Sequence, residues 1–140
     1  MKKMMLFLSV VFGVMLSAAE INWMTDFDDA AKKAKTDKKP IIILFVGSDW
    51  CPPCKMMLKE TWQNKDVIEY VNKHYIPLLV DLPRRKQLPE EQVKKNNAMA
   101  EKYHLISVPT ILVVDAAGKV TAKTGFNRPD PFMKFLKKNK

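Results

Sequence analysis

The chain has 140 residues, 47% of them hydrophobic and 28% charged, with a formal net charge of +9 and a pI near 9.6. That length suits one domain with its own core, and four glycines and nine prolines exclude a fibrous or disordered class. Such a charge balance can draw acidic partners or an anionic membrane surface. Here the lysines are scattered, with short clusters such as Arg84-Arg85-Lys86 and Lys137-Lys138, and no basic helix or aromatic-interleaved strip appears. Charge alone therefore reads as a solvated surface, and no nucleic-acid partner is expected.

The chain opens with Met1-Lys2-Lys3, then an apolar run from Met4 to Leu16, then the small residues Ser17-Ala18-Ala19. A basic start, a short apolar stretch and small residues before Glu20 make a cleavable signal peptide. The run is shorter than the about 20 residues that a permanent span needs. The expected division is a signal peptide over 1–19 and an exported domain over 20–140.

Beyond it, Thr25 with Asp28 three positions on reads as a capped helix start, and 26–36 as a helix. Pro40 precedes Ile41 to Val46 (IIILFV), an unbroken apolar run that predicts a strand buried on both faces of a largely parallel sheet. Gly47-Ser48-Asp49 is a turn, and 53–62 has helical spacing with Met57, Leu58 and Trp62 on its apolar side. A short helix over 65–75 and a strand over 76–80, ending at Asp81, follow. The 82–97 segment is polar; Pro89-Glu90-Glu91 looks like a helix first turn, running to Tyr103. Strands over 110–114 and 119–123 make a hairpin around Ala116-Ala117-Gly118. Asp130 caps a last helix with Pro131 in its first position. A β-α-β unit followed by a hairpin and a closing helix is an α/β sandwich with a mixed central sheet.

Both cysteines of the chain, Cys51 and Cys54, fall in GSDWCPPCKMM, directly after the buried strand and at the start of a helix. In an exported protein they can oxidise and stay oxidised. A disulfide closing so small a ring adds only about 2 kcal/mol by the chain-entropy estimate, against about 3 for a 15-residue loop. The pair therefore reads as chemistry rather than stapling. Cys51, at a helix start, meets unpaired N–H groups and the positive end of the dipole, which lower its pKa and make it the attacking thiol. Cys54, one turn on and more buried, is the resolving thiol. Pro52 and Pro53 supply no N–H, so thiolate stabilisation is moderate and a reducing couple is favoured. A zinc site would need four ligands, and Cys51-x-x-Cys54 with His74 and His104 lacks finger spacing, so no metal is expected.

Trp50-Cys51-Pro52-Pro53-Cys54-Lys55 resembles the WCxxCK motif of the thioredoxin superfamily. Val108-Pro109-Thr110 resembles its cis-proline segment, and Gly125 before Phe126 the glycine after its last strand. Trp23, Lys38-Lys39-Pro40 and the Asp115–Gly118 turn also fit, so the resemblance covers about 21–137. It is nearest to exported bacterial proteins of the Dsb type. WCPPC is also found in tryparedoxins, which are not made with this kind of leader.

The resemblance implies a thioredoxin-like sandwich and a thiol–disulfide oxidoreductase acting through Cys51 and Cys54, without a cofactor. It implies Trp50, Val108 and Pro109 as substrate contacts, with the Val108–Pro109 bond cis and the Pro109 ring against Cys51. It also implies protein disulfides as substrates, a membrane electron-transfer reductase as donor and a periplasmic location; a monomer is expected. The readings left open are an oxidase or isomerase and a non-catalytic binding module. Two positions depart from the family. The buried Asp six before the first cysteine is Phe45, and its Lys partner is Pro77. Cys54 must then lose its proton to water, to substrate or to another base, for which Glu60 is a weak candidate. The 82–97 segment, longer than in a minimal thioredoxin, is either a docking element or a solvated insertion.

Overall fold

A computed structural model describes residues 19–140. The predicted signal segment, Ala19 apart, lies outside the described residues. Among the described residues no helix is long and apolar enough to cross a membrane.

The elements follow the expected order: α1 (Phe27–Asp37), β1 (Ile41–Val46), α2 (Pro52–Glu60), α3 (Lys65–His74), β2 (Ile76–Asp81), α4 (Glu90–Lys102), β3 (Thr110–Val114), β4 (Val120–Thr124) and α5 (Pro129–Lys138). They form one mixed sheet in the order β2-β1-β3-β4. β1 runs parallel to β2 and antiparallel to β3, and β3 is antiparallel to β4. The largely parallel surroundings expected for β1 thus hold on one side only: burial on both faces comes from the two helical layers and does not require parallel neighbours. An isolated bridge from Met24 to Leu78 lengthens the sheet beyond β2. Pro77 sits in β2 opposite Ile42, and its carbonyl accepts from Met24 N–H at 2.8 Å. β2 is the edge strand of the four, and Pro77 turns its missing donor away from β1, where its absence is tolerated.

β1 is buried at every position, as its composition predicts. Successive side chains of a strand point to opposite faces. Ile42, Leu44 and Val46 pack with Met57 of α2, Val67 and Val71 of α3, and Phe132 and Leu136 of α5. Ile41, Ile43 and Phe45 pack with Ala30 and Ala34 of α1 and Met99 of α4. Two helical layers thus cover one sheet. Each fully buried Ile, Leu or Phe contributes at most about 1.5–3 kcal/mol, which holds β1 rigid beneath whatever its C-terminal end presents.

Two helix starts differ from expectation. The N-cap of α1 is Asp26, not Thr25: its carboxylate accepts from Asp29 N–H at 3.0 Å, where a carboxylate also meets the helix dipole favourably. α5 begins at Pro129 with Arg128 as N-cap, so Asp130 lies in the first turn and does not cap it. Pro129 already has the φ of a first helical residue, which moves the start forward. The hairpin turn is built on Asp115, whose carboxylate accepts from Ala117 and Lys119 N–H at 2.9 Å each. Gly118 there has φ +87°, a region that side-chain-bearing residues rarely adopt.

Candidate active site

Where β1 ends, the chain turns through Gly47–Trp50, with Cys51 N–H donating to Gly47 O at 3.0 Å. Cys51 is the N-cap of α2 in extended conformation, and its Sγ accepts from Cys54 N–H at 3.3 Å. Pro52 and Pro53 fill the first two helical positions. The third position is therefore the first with an N–H, and that donor goes to the sulfur. Thus one capping donor survives the double proline. Cys51 and Cys54 are joined as a disulfide with Cα atoms 5.2 Å apart. Cys54 is wholly buried, while Cys51 keeps 4% of its surface exposed, the order expected from the sequence.

Residue Val108, 57 positions further on, closes the other side. Its carbonyl oxygen lies 3.7 Å from Cys51 Sγ, a contact rather than a hydrogen bond because a disulfide sulfur has no proton to donate. The Val108–Pro109 bond is cis. The segment arrives there because β3 pairs with β1 from Thr110 opposite Phe45, and Thr110 Oγ1 donates back to Ser107 O at 2.6 Å.

The Trp50 indole packs against the turn at Gly47. Its Nε1 donates to Leu82 O at 2.8 Å, and the Arg84 guanidinium sits 3.8 Å from the ring centroid. A Cβ on Gly47 would overlap the indole, so only glycine leaves room for it. Two carboxylates fasten the same turn, and the sequence reading gave neither a role. Asp81, buried at the end of β2, accepts from Ser48 N–H at 3.0 Å and Ser48 Oγ at 2.5 Å. Asp49 accepts from three successive backbone N–H groups, Arg84 at 3.0 Å, Arg85 at 2.7 Å and Lys86 at 2.6 Å. These bonds hold its pKa down at about 2, with the Arg84 amide contributing most. The sequence signal for both was an acid beside a turn, but their partners lie more than 30 positions away.

The remaining candidates fall elsewhere. Phe45 is fully buried in the α1/α4 layer, edge-on to Tyr103 at 6.3 Å, whereas both cysteines belong to the α2/α3/α5 layer. Glu60 is six residues beyond Cys54, about 9 Å along the helix axis, and its carboxylate is ion-paired with Arg128 at 2.6 Å. His74 packs tilted against Tyr70 with ring centroids 4.3 Å apart, and its pKa is lowered by desolvation and then by Lys140, Lys73 and Lys39. His104 ends the α4 turn with φ 49°. Among the described residues no three or more His, Cys, Asp or Glu side chains gather as a metal site would need.

A CxxC disulfide capping a helix, faced by a cis-proline loop on a mixed α/β sheet, is the arrangement of a thioredoxin-fold redox protein. The thioredoxin-like domain model matches residues 27–140, and the chain belongs to that family. It is 33% identical over 111 residues to the disulfide bond reductase DsbH of Chlamydia pneumoniae, covering 79% of this chain and 66% of that protein. It is 26% identical over 94 residues to the thioredoxin-related protein DsbJ of the same organism, covering 67% of this chain but 27% of that one. A solved DsbH oxidoreductase structure superposes with a TM-score of 0.81 at 30% identity, covering 89% of this chain and 88% of the other.

Proposed function

We propose that the protein is an exported thiol–disulfide oxidoreductase that reduces protein disulfides through Cys51 and Cys54. The observation that carries this is Cys51 Sγ as the N-cap atom of α2, receiving the Cys54 N–H, with Cys54 buried behind it. The likeness to a disulfide bond reductase supports the direction.

In the reduced protein the N-cap position lowers the Cys51 pKa. The Cys51 thiolate attacks one sulfur of the substrate disulfide, and the other leaves as a thiolate that takes up a proton. Cys54 loses its proton and attacks Cys51 Sγ. The Cys51–Cys54 bond forms, the mixed disulfide breaks, and the second substrate thiol departs. Two electrons pass from protein to substrate, and a dithiol donor must return them. A membrane electron-transfer reductase is that donor in this reading. Trp50, Val108 and Pro109 form the substrate contact in this reading, supported by the Val108 carbonyl 3.7 Å from Cys51 Sγ. With Phe45 in place of a carboxylate, the Cys54 proton goes to water or to the departing thiolate. The domain is 20–140, a monomer in the periplasm once the 1–19 segment is removed.

Cysteine substitution tests the roles. Cys54→Ser should accumulate mixed disulfides with client proteins, since attack proceeds and resolution cannot. Cys51→Ser should trap almost none; trapping by that variant instead would reverse the assignment. Equilibration against glutathione tests direction. With one capping donor retained and two prolines beside it, the potential should lie nearer about −270 mV than the about −120 mV of a dedicated oxidase. A value at the oxidase end would overturn the reductase reading and leave the nucleophile unaffected.

A further inference from the structure

The 82–88 loop is built into the redox site. Its backbone amides at Arg84, Arg85 and Lys86 converge on the Asp49 carboxylate, two residues before Cys51. Its Leu82 carbonyl takes the Trp50 indole N–H, one residue before Cys51. Its Arg84 guanidinium covers the same indole. The three amides use up the one acid of this turn that faces the loop, so that acid meets backbone and not the cationic side chains. Arg84, Arg85 and Lys86 are exposed, and none of the ion pairs among the described residues includes them. A carboxylate ion-paired to the loop would tie down one of the three cationic side chains; one that grips the backbone orders the loop and leaves all three exposed.

We propose that Asp49 is a positioning residue that fastens the 82–88 loop over Trp50, so that Arg84, Arg85 and Lys86 form a cationic rim that selects protein substrates with acidic residues flanking the reacting cysteine. This rests on the thiol–disulfide reading above. Asp49 stays ionised across the physiological range, held down by the three amides, so the rim persists there. An acidic flank would be drawn to the rim at long range and held beside Trp50 while its disulfide meets Cys51. The selection acts on encounter and is screened by salt.

The test uses the reduced full-length protein in single turnover, without added reductant. Three disulfides are compared: a cyclic peptide flanked by glutamates, the same peptide flanked by lysines, and neutral hydroxyethyl disulfide. The wild-type ratio of second-order rate constants, acidic over basic, should be about tenfold at low salt. It should fall towards one near 1 M salt, where the Debye length shrinks to about 3 Å. Asp49→Ala should lower the low-salt ratio to about twofold. Were net charge the only factor, removing an acid would raise the ratio, so the sign separates positioning from bulk charge. The combined change Arg84→Glu, Arg85→Glu and Lys86→Glu should invert the preference, and thermal unfolding of each variant establishes that it is folded. A wild-type ratio near one, or a ratio undiminished in Asp49→Ala, overturns the inference while leaving the oxidoreductase reading standing. Failure to turn over any of the three, hydroxyethyl disulfide included, overturns that reading and this inference together.

Discussion

Gly47→Ala isolates the packing of Trp50. Gly47 is buried and does not lie in the left-handed region, so its backbone alone would accept alanine. At such a site the exchange normally stabilises by about 0.4–1 kcal/mol, through the unfolded chain. Here the new Cβ would overlap indole Cε2, Nε1 and Cζ2 of Trp50. If the ring moves, it forfeits the bond to Leu82 O, about 1 kcal/mol net, and the Arg84 stack, about 0.5–1 kcal/mol at an exposed site. If the backbone moves instead, overpacking costs about 1–3 kcal/mol. Set against the unfolded-chain gain, either route leaves a net loss of about 1 kcal/mol. At about 3–5 °C per kcal/mol for a chain of this size, the Tm of the oxidised protein should drop by about 3–5 °C. A double-mutant cycle makes the reasoning specific. On a Trp50→Ala background the clash is gone, so Gly47→Ala should be neutral or slightly stabilising. Differential scanning calorimetry of the four proteins reads both numbers. An unchanged Tm in the single variant, or an equal loss on both backgrounds, would refute the argument that the indole fills the space above Gly47.

Three further outcomes are expected. Tyr75 is buried, its hydroxyl donating to Leu136 O at 2.7 Å, and burial pushes its pKa well above the ordinary value. The folded state therefore keeps a proton that the unfolded chain releases above about pH 10. The associated stability is present below that pH and lost above it; Tyr75→Phe should cost about 1 kcal/mol at neutral pH and flatten the alkaline fall in denaturant midpoint. Asp49 has the opposite sign: its folded pKa is depressed to about 2, so its contribution is present above about pH 4 and lost between about pH 4 and 2. Asp49→Asn should remove that part of the acid dependence, and an acid titration of stability identical to wild type would count against the three-amide clamp. Finally, N-terminal sequencing of protein recovered from an exporting host should begin at Glu20, and a mature chain starting at Met1 would sink the signal-peptide assignment.

Element order and type were legible wherever local chemistry decides the outcome. IIILFV has no polar position, is short and is rich in β-branched residues, which favours a strand covered on both faces, and β1 begins and ends where its composition does. The CxxC window was largely legible as strand, glycine turn and cysteine at a helix start, but the helix read as 53–62 runs Pro52–Glu60 with Cys51 as its cap, because proline suits the first helical position. Helix starts were less secure where two acceptors compete, as with Thr25 and Asp26, because the local chain accommodates either and packing chooses.

The sequence by itself determined that a cysteine pair stands at the head of a helix behind a buried strand, since those facts depend on neighbours a few positions apart. Only the tertiary structure decided what surrounds the pair. The Val108 carbonyl reaches Cys51 because β3 pairs antiparallel with β1. The 82–88 loop reaches Trp50 because β2 pairs parallel with β1 and delivers the chain to the same end of the sheet. Asp49, read from the sequence only as part of a turn, holds three amides 35 to 37 positions away. Asp26 and Asp115 find their donors two to four positions along the chain, but the donors of Asp49 come within about 3 Å only because the parallel pairing of β1 with β2 brings the 82–88 loop beside it.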